Sequence, residues 1–87
     1  MDIFEGIPQD KWIEIVFNAS QSLASAELIR ILERLASMEI LLEKRLGESW
    51  EEELNYILSS EESSEEIYRH TQNLAIESMG NILTKNE

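Results

Sequence analysis

From Ala26 to Leu46 the chain runs twenty-one residues without glycine or proline, and its apolar side chains recur at alternating intervals of three and four. Leu28, Ile31, Leu35, Met38 and Leu42 form one line with the a/d spacing of a coiled-coil seam. Ile29, Leu32, Ala36, Ile40 and Leu41 form a second line beside it. A surface helix ordinarily carries one apolar stripe about 100° wide, so a helix with two lines must bury two faces. Lys44 and Arg45 make a basic last turn, and Gly47 follows as a stop. The spacing predicts a helix over 25–46. The rest of the chain, or a second chain, has to cover it.

The remaining composition suits a helical answer. The 18 acidic residues are 16 Glu and 2 Asp, so the negative charge is written in a good helix former. Three Gly and one Pro leave few turns for β-hairpins. Pro8 suits the first position of a helix over 8–21, with Asp10 in its first turn and Trp12, Ile13, Val16 and Phe17 as its apolar face. Asn18, Ser20, Gln21, Ser22 and Ser25 favour caps and turns, which places a break near Gln21–Ser25. A short helix over 50–59 should present Trp50, Leu54, Ile57 and Leu58, with Ser49 and Glu52 as its capping box. Ser59 to Ser64 reads as a polar loop, and Ser63 with Glu66 as the capping box of a last helix over 64–84. The fold expected is a compact all-α bundle of about four helices forming a single domain over 1–87, frayed at 1–6 and 84–87.

Charge removes several functions. With 7 basic residues against 18 acidic the net charge is −11, which argues against direct nucleic-acid binding and against docking on an anionic membrane. No apolar run exceeds three residues, far short of the roughly 20 needed to span a bilayer. The acidic start, Met1-Asp2-Ile3-Phe4-Glu5, does not resemble a signal peptide, so the expected location is cytoplasmic. The absence of cysteine excludes disulfides and thiolate metal sites.

Catalysis finds little support. Serines fall in caps and linkers beside a single histidine. His70 lies one turn from Glu66, but two ligands do not define a metal site, and the spacing of four differs from the Glu-x-x-His of di-iron bundles. Arg30, Arg34, Lys44 and Arg45 are the only cationic cluster, and Glu27 and Glu33 sit at helical pairing distance from Arg30. A helix-turn-helix is excluded where the element after Gly47 begins Glu48-Ser49-Trp50-Glu51-Glu52-Glu53. The sequence therefore predicts no enzyme, no cofactor and no metal.

What remains is contact with other proteins. A domain this small gains little net stability from its own core, and self-association is the common remedy. A homodimer is expected, with Leu28, Ile31, Leu35, Met38 and Leu42 at its interface. The acid is uneven: residues 1–46 hold 8 acidic and 5 basic side chains, a net of −3, and residues 47–87 hold 10 and 2, a net of −8. Glu48, Glu51, Glu52, Glu53, Glu61, Glu62, Glu65 and Glu66 form a run without a cation, a candidate surface for a basic protein partner. Trp50 is a candidate anchor within it. The expected role is a small acidic interaction module: an adaptor, accessory subunit or regulator. The alternative is an acidic, nucleic-acid-mimicking inhibitor of antitoxin type that binds a basic protein.

Overall fold

The computed structural model describes residues 7–84; of the fraying expected at 1–6 and 84–87, Thr84 is instead the last residue of a helix, and the rest lies outside the described residues. Among the described residues only Ile7, Ala19, Ser20 and Ser60 fall outside helices, and there is no strand. The order is α1 (Pro8–Asn18), α2 (Gln21–Leu46), a single 3-10 turn (Gly47–Ser49), α3 (Trp50–Ser59) and α4 (Glu61–Thr84). The all-α expectation holds, with four helices.

Two boundaries move. The break after α1 falls at Ala19–Ser20, not within Gln21–Ser25, because Ser20 is the residue that caps: its Oγ accepts from the Leu23 backbone N–H at 3.3 Å. Ser22 and Ser25 are then carried inside a helix already started. The polar stretch Ser59–Ser64 is not a loop. Ser60 alone separates α3 from α4, and Glu61 and Glu62 occupy the first turn of α4, where negative charge suits the positive end of the helix.

The proposed capping boxes fail for a related reason. Ser63 lies inside α4, and its Oγ makes no hydrogen bond to Glu66 among the described residues. Ser49 sits in the 3-10 turn, where its Oγ donates to the Leu46 carbonyl at 3.0 Å and to Glu53 at 3.2 Å instead of accepting from a cap. The Gly47 stop is real: its φ of +71° is a left-handed conformation that a side chain would strain, and its N–H returns to the Glu43 carbonyl. The chain resumes helical winding at once, so α2 and α3 behave as one long helix bent at Gly47.

α4 is the element that touches all the others: α1 lies along it, α2 meets it, and α3 folds back against it. The chain measures 42 × 29 × 15 Å, so the helices form a flat layer instead of closing round a centre. Among the described residues only Ala75 and Ile82 are buried and apolar, both on α4. With Gln72 and Ser78 they make the buried line of that helix, while Leu74 and Leu83 beside it stay exposed. No described helix is long and apolar enough to cross a membrane.

Candidate protein-interaction surface

The centre of the molecule is a polar clasp. Glu27 of α2 is only 5% exposed, a position that a charged residue takes only when paired. Arg30, one turn on, donates Nε to Glu27 Oε1 at 2.9 Å and Nη2 to Oε2 at 2.8 Å, a two-pronged ion pair. Ser78 of α4, fifty-one residues away, donates its Oγ to Oε2. Trp12 of α1 donates its indole N–H to the same Ser78 oxygen at 2.8 Å. One serine therefore joins three helices. Beside it, Gln72 accepts from the Gln9 backbone N–H at 2.7 Å and so ties down the open start of α1. No buried side-chain polar atom among the described residues is left without a partner. The Arg30 hydrogen bonds hold the Glu27 carboxyl below its ordinary value, against burial, which raises it; the same pairing raises Arg30.

The sequence paired Arg30 with both Glu27 and Glu33. The structure makes the first pair, and the second is absent among the described residues. What helical spacing missed is the burial of Glu27, because its cause is Ser78 on another helix. No signal in the sequence ties those two positions together.

Beyond the clasp α2 and α4 diverge. From Glu27 to the end of α2 is about 28 Å of helix, and from Ser78 back to the start of α4 about 26 Å, at 1.5 Å per residue. α3 joins the far ends. Between the diverging helices lies an apolar groove of about 320 Å³ walled by Trp12, Ile31, Leu35, Met38, Leu74 and Ala75, with Arg30 and Arg34 on its α2 side. Ile31, Leu35 and Met38, expected at an interface, thus share one uncovered surface. Leu28 on the same line is 44% exposed, and Leu42 is half-buried. The second line is barer still, with Leu32 at 63%. The predicted need to bury two faces is therefore unmet within one chain.

The acidic run is as open. Glu48, Glu51, Glu52, Glu53, Glu61, Glu62, Glu65 and Glu66 are all exposed, and none is in an ion pair among the described residues. Trp50 is half-buried at the start of α3. Glu66 and His70 flank a shallow depression with Ile67 and Thr71. Among the described residues no three His, Cys, Asp or Glu side chains are grouped to hold a metal.

Residues 4–87 match the family described as Domain of unknown function (DUF2018). The chain belongs to that family. The match spans nearly the whole sequence, so the clasp, the groove and the acidic run all lie inside the family's domain. No curated protein matches the sequence.

Proposed function

We propose that this member of the DUF2018 family is a small acidic protein–protein interaction module, an adaptor, accessory subunit or regulator, that works as a homodimer. The observation that carries this reading is the state of its apolar residues. Two are buried among the described residues, while Leu28, Ile29, Leu32, Leu35, Met38, Ile40 and Leu41 of α2 each stand at least 44% exposed. A folded 10.1 kDa monomer exposes about 5,300 Å² by size scaling, and this chain exposes 7232 Å². The difference is about 1,900 Å², above the roughly 800 Å² that one partner gives to a standard interface and within the range of an obligate one. The exposed apolar side chains of α2 lie on adjoining lines of one helix, and an apolar patch of that kind marks a site of association.

Sedimentation velocity or light scattering over a micromolar dilution series tests the reading. A dimer that dissociates more readily on Leu35→Asp or Met38→Asp is expected; a monomer throughout the series overturns it.

A second reading draws on the eight exposed glutamates, unpaired among the described residues: an acidic inhibitor that imitates a nucleic-acid backbone toward a basic protein. Carboxylates presented along α3 and the first turns of α4 support it. Such binding should compete with nucleic acid and fall steeply with salt. Neither reading makes the chain an enzyme.

A further inference from the structure

We propose that α3 is the docking surface for a basic amphipathic helix of another protein, a segment that carries lysines or arginines on both sides of an apolar stripe. This inference rests on the interaction-module reading, names the kind of partner, and does not depend on the homodimer.

α3 is the most amphipathic of the four helices and buries none of its residues. Leu54, Ile57 and Leu58 recur at three and four, so they share one face. Leu54 is 38% exposed, Ile57 45% and Leu58 62%. A helix of ten residues is marginal in water without tertiary support, so a cover over this stripe stabilises α3 as well as the complex. The stripe is separate from the groove, for no wall of the groove belongs to α3.

The charges state what the cover must be. At 100° per residue Glu51 falls on one flank of the stripe, beside Leu54 and Leu58, and Glu53 falls on the other, beside Ile57. Both are exposed, and neither is in an ion pair among the described residues. Around them the acid continues: from Gly47 to Tyr68 there are eight glutamates and no basic residue. A partner with neutral or acidic flanks would leave these carboxylates unanswered at the edge of an apolar contact. One with cationic flanks answers both sides and is drawn in by the same field.

This chain offers no such helix. α2 holds four basic and four acidic residues, and each of the other three helices has more acid than base. The occupant therefore comes from another protein. Among the described residues there is no strand, so a peptide cannot add to a sheet edge, and helix against helix is the mode left. α3 is about 15 Å long and takes a partner of about three turns. A mimic of nucleic acid would need the carboxylates alone. The stripe exposed between them calls for an apolar counterpart.

The probe is a synthetic peptide of about 18 residues, lysine and leucine only, with its leucines spaced three and four apart. A second peptide has the same composition in an order that makes no stripe. Each is titrated into the full chain at about 0.15 M salt, and amide chemical shifts locate it. The patterned peptide is expected to bind once per chain, to shift α3, and to bind about 10-fold more tightly than the shuffled one. Leu54→Ser with Leu58→Ser should weaken it about 10-fold, as loss of interface anchors does. Glu51→Gln with Glu53→Gln should weaken it about 5-fold. Both side chains are exposed, so this second pair of substitutions leaves the packing of the chain intact. Glu39→Gln with Glu43→Gln removes the same charge from exposed positions of α2 and should change binding less than about 2-fold. Equal binding of the two peptides, equal effects of the two glutamine pairs, shifts confined to the groove walls, or no binding at about 1 mM overturns the proposal. Sedimentation in the same buffer separates it from the homodimer reading. A homodimer that ignores the peptide overturns the docking surface alone, and a monomer that binds it overturns the homodimer alone.

Discussion

The clasp and the α3 corner are built from the same residue types and behave as opposites. At the clasp, Glu27 is buried, twice bonded to Arg30 and once to Ser78, and every polar atom is answered. At the corner, Glu51, Glu52 and Glu53 stand exposed beside leucines that are exposed as well. A glutamate placed among donors from two helices holds a fold together, whereas glutamates in a row keep a surface wet and repel one another. The difference lies in what the third dimension brings to the carboxylate. It also divides the molecule: the clasp sets where α1, α2 and α4 cross, and the corner and groove stay uncovered within the chain.

The sharpest way to break this contrast is to remove the cation from the clasp. Arg30→Ala leaves the Glu27 carboxylate buried without its cation. Breaking a buried ion pair costs about 3–5 kcal/mol, and the partial exposure of Arg30 places this one near 3 kcal/mol. Urea denaturation at fixed protein concentration measures it, and a loss under about 1 kcal/mol would mean that the clasp does not hold the crossing. Ser78→Ala removes the donor to Glu27 and the acceptor of the Trp12 indole together, so about 2 kcal/mol is expected by the same measurement.

The two regions should also separate by pH and salt. The Glu27 carboxyl is held below its ordinary value of 4.5, chiefly by Arg30, so its contribution is fully present above that value. It is lost as pH falls through the lowered value. The stability gap between wild type and Glu27→Gln should therefore be widest near neutrality and close progressively below about pH 4.5. A gap that is flat from pH 7 to 3, or that widens in acid, contradicts the assignment. Added salt acts on the other region. It screens the exposed run Glu48–Glu66, so the melting temperature should rise by a few degrees between low and molar salt. Arg30→Ala should not abolish that rise, because the buried pair is screened little.

The smallest effect belongs to the face of α4 turned away from both regions. A Cβ at Gly80 would meet nothing, and the residue is helical, so Gly80→Ala should stabilise by about 0.5–1 kcal/mol. Gly47→Ala should do the reverse by about 1–2 kcal/mol, since its φ is +71°.

These contrasts show how far the sequence could be read. Periodicity found α1, α2 and α3, Gly47 marked the bend, and the two apolar lines of α2 announced a helix too apolar for its own chain. Local chemistry misplaced the break after α1 and turned Ser59–Ser64 into a loop, because serine caps and serine within a helix look alike until the neighbouring turns are fixed. The Glu27–Arg30 pair was visible at a spacing of three. Its burial was not, because Ser78 reaches it from fifty-one residues away and is itself held by the Trp12 indole of a third helix.

By itself, then, the sequence determined the helical content, the bend and the excess of apolar surface over what 87 residues can cover. These follow from neighbours three and four apart, whose geometry any helix fixes. Only the tertiary structure decided which carboxylate was buried and which apolar residues shared a groove. Both depend on where helices cross, and that position is set by contacts between residues distant in the chain.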